Sequence, residues 1–290
     1  VTPSDTLVII NPAAHGGRAA RRAGPLLGTI GPHTVVHTEG PGHAAVLATT
    51  ATAQRVIAVG GDGTVHEVVQ GLMRRASPAA LGILPLGTGN SFVRDLGISQ
   101  PTEAAAAIAA DRRRAVDVVQ VTCADRTLWS INLFSLGFTA EAGELTNRRF
   151  KALGAAGYVA AVVVSVARLH HPRVPYALDE GPLDDRPLTF VSFSNSRYTG
   201  GAMKMAPDAD PSDGWVDVIR VGALGRGRLL TAFPRIFSGT HVAMPEVEHR
   251  RAHRATFALD GPRDLMVDGE VIRAWPHQLT VLPGALQVLA

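Results

Sequence analysis

The chain has 290 residues, 46% of them hydrophobic, which is enough to bury a large core and to divide into two domains. A net charge of only +3, with no RNA- or DNA-binding motif, argues against a nucleic-acid partner. Cys123 is the single cysteine, so no internal disulfide can form and an intracellular, cytoplasmic setting is expected.

Residues 7–11 read as a first buried strand rather than an apolar leader. A helix is expected after Gly17, a strand at 34–37, a helix from His43, a strand at 56–59, a helix from Thr64 and a strand at 81–86. This alternation predicts a parallel α/β sheet covered on both faces. Two of the strands feed glycine-rich turns, Gly60-Gly61-Asp62-Gly63-Thr64 and Leu86-Gly87-Thr88-Gly89-Asn90. Beyond the first turn, Val65, Val68, Val69, Leu72 and Met73 form one apolar helical face. A strand, a glycine turn and a helix N-terminus make an anion site, because free N–H groups point outward and the helix dipole favours negative charge. Two such turns, with Asp62 inside the first, point to a polyphosphate held with a metal ion. Lys151 and Lys204 are the only lysines and no G-x-x-x-x-G-K-[ST] occurs, while Phe92 stands where the third glycine of a G-x-G-x-x-G would fall. Phosphates must therefore be held by backbone amides, hydroxyls, arginine and metal.

Ser99 and Pro101 open an alanine-rich helix expected to end at Asp111, with Arg112, Arg113 and Arg114 favouring the negative end of its dipole. The texture then changes. Short strands are expected at 116–122, 128–134, 188–194, 216–221, 256–260, 265–267 and 279–282, a pattern that predicts an antiparallel, sandwich-like second domain. The boundary is placed near residue 118. Residues 1–118 form the α/β domain and 119–290 the β-rich one, whose last strands have the option of returning to the first. Segment 153–169 is almost wholly apolar but shorter than the ~20 residues of a membrane span, so a buried or pocket-lining helix is expected. Arg148, Arg149 and Lys151 at its start could touch anionic headgroups. His170 and His171 read as a solvated helix end, and His66 as a residue packed at its helix start.

Asn11-Pro12-Ala13-Ala14-His15-Gly16-Gly17, the GGDGT turn followed by Val65-His66-Glu67-Val68-Val69, and Pro85-Leu86-Gly87-Thr88-Gly89-Asn90 together resemble the diacylglycerol kinase and sphingosine kinase catalytic-domain family, the bacterial lipid kinases in particular. The likeness continues through Val116-Asp117-Val118, Asn132 to Gly137-Phe138, Tyr198-Thr199-Gly200-Gly201, Ala206-Pro207-Asp208-Ala209, Asp213-Gly214 and Asp268-Gly269-Glu270. GGDGT alone is shared with NAD kinases and phosphofructokinase-like enzymes; the ordered set is more specific.

The resemblance implies an NAD kinase/phosphofructokinase-like α/β domain, a β-rich second domain and an ATP site in the cleft between them. It also implies ATP and Mg²⁺ as cofactors, and transfer of the γ-phosphoryl to a hydroxyl of diacylglycerol, a sphingoid base or a related lipid of phospholipid metabolism. The protein would then work peripherally at the inner face of the membrane. Asn11, Thr38, Gly60, Gly61, Asp62, Gly63, Thr64, His66 and Thr88 match the family's nucleotide positions. Asp62 is the expected partner of the catalytic Mg²⁺, with Asp117 as a second catalytic carboxylate; the alternatives are an aspartate bonding its own turn and a domain-hinge aspartate. Many bacterial members carry aspartate where this chain has Ser91, which removes one negative charge from the metal network. Glu270 matches the family's general base on the acceptor hydroxyl, a role the eukaryotic sphingosine kinases give instead to the aspartate of GGDGT. Asp268-Gly269 also reads as a plain hairpin turn. Asp213, with carbonyls of Asp210 and Trp215, matches a second, structural Mg²⁺ site, for which an Asx-turn loop is the alternative. Competing functions are an NAD kinase-like small-molecule kinase and an inactive lipid- or nucleotide-binding homologue. An edge strand in the second domain offers a route to a homodimer.

Overall fold

The computed structural model describes residues 5–145 and 154–290. These fall into two compact units, Val1–Val116 with Gly284–Ala290, and Asp117–Pro283.

The first unit runs β1 (Thr6–Ile10), α1 (Ala14–Gly17), α2 (Ala19–Leu27), β2 (Thr34–His37), α3 (His43–Thr50), β3 (Arg55–Gly60), α4 (Asp62–Arg74), β4 (Ala80–Pro85), α5 (Ser91–Asp95) and α6 (Pro101–Ala109). The strands lie in the order β2-β1-β3-β4, all parallel. Val56, Ile57, Ala58 and Val59 are all fully buried. Consecutive strand residues point to opposite faces, so an unbroken buried run means that both faces of the sheet are covered. Helices α3 and α4 cross closely at Gly71, where a Cβ would lie 2.4 Å from Ala45 O.

Helix α6 opens on Glu103, which accepts the amides of Ser99 and Gln100 at 2.7 and 3.0 Å. It ends at Ala109, earlier than expected. Asp111 turns the chain with φ 49° and pairs with Arg113, which already belongs to β5 (Arg113–Cys123). Arg113 and Arg114 are therefore strand residues and not the helix end that their charge suggested.

The second unit continues from β5 through β6 (Thr127–Ser130), β7 (Leu133–Gly137), α7 (Phe138–Leu145), α8 (Gly154–Val166), β8 (Tyr176–Leu178), β9 (Leu188–Ser194), β10 (Tyr198–Thr199), β11 (Met203–Lys204) and β12 (Val216–Gly222). It then runs through α9 (Arg226–Ala232), α10 (Arg235–Ser238), a 3-10 turn at Thr240–Ala243, β13 (Val247–Ala252), β14 (Arg254–Phe257), β15 (Arg263–Val267), β16 (Glu270–Ala274) and β17 (Pro276–Leu289). Six antiparallel strands form a sheet ordered β13-β12-β9-β7-β15-β16. Its inner face packs Phe134, Phe193, Val218 and Leu265 against Val119, Tyr176, Phe257 and Leu279 from β5, β8, β14 and β17, which makes the sandwich. Phe193 and Phe257 meet edge-on with ring centroids 5.5 Å apart. The tail of β17 belongs to the first unit, where Val288 and Leu289 pair in parallel with Leu81 and Gly82 of β4.

Four features depart from expectation. The strand expected at 128–134 is broken into β6 and β7 at Ile131 and Asn132, whose amides are drawn to Asp268. The strand expected at 256–260 lies at Arg254–Phe257. The outer face of the six-stranded sheet carries a second core, in which Phe190, Ile219 and Met266 meet α7, α8, α9 and α10. The apolar segment at 153–169 forms α8, which buries Ala161, Val162 and Val166 but leaves Val163 and Val164 exposed. Among the described residues no helix is long and apolar enough to cross a membrane. Arg148, Arg149 and Lys151 lie outside the described residues.

Candidate functional site

In the first unit the register of the parallel strands gathers the expected nucleotide residues. Ile10 pairs with both His37 and Val59, and Gly60 pairs with Pro85. Strands in register end together, so Asn11, Thr38, Gly60 with Gly61, and Leu86 leave the sheet along one carboxyl edge, where open α/β sheets bind ligands. The backbone continues the pairing one step further: Asn11 N donates to Val59 O, Thr38 N to Ile10 O, and Leu86 N to Gly60 O.

The two glycine turns touch. A Cβ on Gly87 would lie 2.2 Å from the α-carbon of Gly61, and one on Gly60 would lie 2.4 Å from Thr64 Oγ1. Asn11 Nδ2 donates to Thr64 Oγ1 at 3.2 Å while its Oδ1 accepts the amide of Ala13 at 3.0 Å, which fixes the chain after β1. Asn90 sits in the left-handed region at φ 52°. Its side chain bonds Pro85 O, Gly87 O and the amide of Gly87, closing the second turn on itself. The amide of Ser91 then donates to Asp62 Oδ1 at 2.8 Å. Asp62 and Gly63 are half-buried and Thr88 is exposed, whereas Thr38, Thr64 and His66 are buried. His66 thus belongs to the interior of α4.

Glu67, to which the sequence reading gave no role, supports this edge. Its carboxylate accepts the amides of Gly42 and Ala44 at 2.8 and 3.1 Å and so caps α3, whose own N-cap residue is a glycine. That a glycine cannot cap by side chain was the available signal.

In the second unit Val267 pairs with Glu270 across Asp268 (φ 52°) and Gly269 (φ 94°). Two consecutive positive φ values mark a type I′ hairpin turn. The expected hairpin and the expected glutamate therefore coexist, since Glu270 is the first residue of β16. Glu270 is half-buried, and its carboxylate makes no hydrogen bond or ion pair among the described residues. Asp268 is the structural member of the pair. Buried at 6% exposure, it accepts from Ser130 Oγ and from the amides of Ile131, Asn132 and Leu133 at 2.5 to 3.3 Å. Asn132 in turn accepts from Ser196 Oγ, and Asn195 donates to Asp117 O and Ile131 O.

Asp117, expected as catalytic, is 2% exposed, and its Oδ2 accepts the amide of Gly214 at 2.6 Å while its own amide donates to Pro211 O at 2.7 Å. These contacts clasp the acidic loop at 207–215 to β5, a structural duty. In that loop the expected second cation site is differently arranged. Asp213 Oδ2 pairs with the Arg251 guanidinium, Asp213 Oδ1 accepts the amide of Trp215, and Asp210 Oδ1 accepts the amide and hydroxyl of Ser212. Arg251 also lies over the Trp215 ring at 5.2 Å, and Trp215 stacks on His253 with centroids 3.5 Å apart. A positive guanidinium on Asp213 opposes a second positive charge at the same carboxylate, so the side chain expected to lead that site is already paired.

Among the described residues no three His, Cys, Asp or Glu side chains cluster to hold a metal. Asp62 does fit a Mg²⁺ shared with a phosphate. It is a hard oxygen donor, half-buried at the strand edge, beside turns whose backbone is bare of side chains.

A model of the diacylglycerol kinase catalytic domain matches residues 5–121, and a model of the YegS C-terminal NAD kinase beta sandwich-like domain matches residues 132–290. A diacylglycerol kinase of Mycobacterium tuberculosis (strain ATCC 25618 / H37Rv) is 32% identical over 238 residues, 81% of this chain and 76% of that protein. A probable lipid kinase YegS-like of Stenotrophomonas maltophilia (strain K279a) is 29% identical over 241 residues, 80% of this chain and 77% of that protein. Two solved structures from Bacillus anthracis str. Sterne share the fold over the whole chain. One has TM-score 0.80 at 22% identity with 98% of its chain covered; the other, a diacylglycerol kinase, has 0.72 at 20% with 97% covered.

Proposed function

Because this chain belongs to the diacylglycerol kinase family of lipid kinases, we propose that it transfers the γ-phosphoryl of ATP to a hydroxyl of a lipid such as diacylglycerol or a sphingoid base. The observation that carries this reading is the strand edge, where Asn11, Thr38 and the touching turns at Gly61 and Gly87 line up beside the N-terminus of α4. Phosphoryl transfer asks mainly for positioning and charge neutralisation, and bare glycine backbone beside a helix N-terminus supplies both. The triphosphate lies along this edge, with Thr88 as a hydroxyl donor and Asn11 and Thr64 holding the first turn in shape. Asp62 would hold a Mg²⁺ shared with the phosphates, and such an ion would supply neutralisation of the charge on the transferring group. Glu270 accepts the proton of the lipid hydroxyl as that oxygen attacks. Asp268 acts through Glu270 by fixing the hairpin that presents it.

The test is phosphorylation of a total lipid extract by the full chain with labelled ATP and Mg²⁺, read by mass spectrometry, with NAD as a parallel acceptor. Label in a lipid, abolished by chelator, is the expected result. Label in NAD alone would assign the small-molecule kinase reading, and ATP-independent lipid binding without label would assign an inactive homologue.

A further inference from the structure

Helices α3 and α4 both start at the carboxyl edge of the parallel sheet, and both start on a glycine. Gly42 precedes α3 at φ 83° and Gly61 precedes α4, and neither can cap its helix by side chain. Each N-terminus is therefore a place where amides point outward and negative charge is favoured. The two are treated differently. At α3 the amides of Gly42 and Ala44 are taken by the two carboxylate oxygens of Glu67, at 2.8 and 3.1 Å. At α4 no side chain accepts the amides of Gly61 or Gly63 among the described residues.

Glu67 is itself a residue of α4. Gly63, Glu67 and Gly71 fall at i, i+4 and i+8 and so share one face of that helix. Helix α3 lies against this face: a Cβ on Gly71 would lie 2.4 Å from Ala45 O, and Thr49 Oγ1 donates to Gly71 O at 3.4 Å. Glu67 stands one helical turn, about 5.4 Å, beyond Gly63, so the two N-termini are near neighbours. Segment 38–44, which joins β2 to α3, is tied elsewhere too. Thr38 N donates to Ile10 O, Glu39 N to His43 Nδ1 at 3.0 Å, and His43 N to Gly40 O. Glu67 closes the far end of a loop whose near end carries Thr38.

A polyphosphate arriving at this edge would meet two adjacent anion-attracting helix ends if that of α3 were empty. With Glu67 in place, α3 offers the phosphates occupied amides and a like charge, which repels them. We infer that Glu67 is a positioning residue for the nucleotide. Its carboxylate stands in for an anion at α3, holds segment 38–44 and with it Thr38, and leaves the α4 turn as the N-terminus open to phosphate. The inference rests on the proposed use of ATP and deepens that reading. Because Glu67 acts through the loop, its loss falls on nucleotide affinity.

The test uses the full chain carrying Glu67→Ala or Glu67→Gln. ATP affinity in Mg²⁺ is read by calorimetry, and melting temperature is read in formate and in chloride at equal ionic strength. Formate is a carboxylate small enough to refill the α3 N-terminus of the alanine variant. Glu67→Ala should bind ATP roughly three- to tenfold more weakly than wild type, as expected for a lost helix cap. Glu67→Gln keeps one accepting oxygen and should fall between the two. Formate, and not chloride, should raise the melting temperature of Glu67→Ala and restore its ATP affinity, while leaving the wild type unmoved. The glutamine variant keeps the test open if the alanine variant fails to fold. Wild-type ATP affinity in Glu67→Ala, or in Glu67→Gln where only that variant folds, would overturn the inference, since a packing residue alone would lower the melting temperature without touching affinity. So would formate that stabilises variant and wild type equally. In a wild type that binds no ATP, formate rescue of melting would uphold the clasp on α3 while removing the kinase reading, and its absence would remove both.

Discussion

The amide of Ser91 donates to Oδ1 of Asp62 at 2.8 Å, so the second glycine turn is tied to the first through the carboxylate expected to serve the metal. Together with the contact of Gly61 and Gly87, this makes the two turns one unit. Ser91 is therefore more than a missing aspartate. Its main chain orients Asp62, while its side chain contributes no negative charge.

Replacing Asp62 tests both duties. Asp62→Ala should lose turnover and should also lower folding stability by roughly 1–3 kcal/mol, because a donor on a buried residue loses its acceptor. Asp62→Asn retains an oxygen that can accept the Ser91 amide, so it should recover most of the stability without recovering Mg²⁺-dependent turnover. Denaturant melts and steady-state rates separate these outcomes. Near-normal turnover in either folded variant would remove Asp62 from the chemistry.

Ser91→Asp has a sharper expected outcome than sequence alone suggested, because Ser91 is 1% exposed. A carboxylate placed there is desolvated and lies near that of Asp62, so without a cation the two ionised forms repel. The variant should melt below wild type in chelator and rise toward it as Mg²⁺ is added. It should also reach half-maximal rate at lower Mg²⁺ than wild type. A Mg²⁺ titration that leaves both curves unchanged would show that residue 91 does not face the metal.

A pH-dependent contact lies in the second unit, where His249 Nε2 is 2.5 Å from Oδ1 of Asp217. The hydrogen bond to Asp217 raises the His249 pKa, with Asp208 adding attraction and both desolvation and Arg251 opposing. A raised folded-state pKa stabilises the fold fully below the ordinary histidine value of about 6.5, and that contribution is lost as pH rises through the folded value. The melting temperature of the wild type should therefore decline above neutrality by more than that of His249→Asn. Parallel curves between pH 6 and 9 for the two proteins would deny the pair this role.

The carboxyl edge of the parallel sheet was legible because its signals are local: unbroken apolar runs, turns of glycine, and one helical face from Val65 to Met73. What escaped was set by distant partners. Nothing near residues 131 and 132 announces that Asp268 will break the strand there. Strand β13 reads Val-Glu-His-Arg-Arg-Ala, too polar to suggest a strand, because it forms a sheet edge. Asp117 carried a family motif, yet its contacts lie on a loop almost a hundred residues onward, at Gly214. Arg251 on Asp213 is likewise a contact between segments that no spacing rule connects.

The hairpin at Asp268 and Glu270 sets a structural residue beside the proposed base. Asp268 is buried and accepts four donors, so Asp268→Ala orphans three backbone amides and a hydroxyl; the loss should reach about 3–5 kcal/mol, as for breaking a buried charged network. Glu270 is half-buried and its carboxylate makes no hydrogen bond or ion pair among the described residues, so Glu270→Gln should shift stability by no more than about 0.5 kcal/mol. If Glu270 takes the acceptor proton, the same variant should bind ATP normally while kcat falls by about 10²–10⁴-fold. The rival base is Asp62, whose replacement also alters the Mg²⁺ dependence; Glu270→Gln should leave that dependence intact. A Glu270→Gln protein that keeps most of its kcat would transfer the role to Asp62 and leave Asp268-Gly269 as a turn alone.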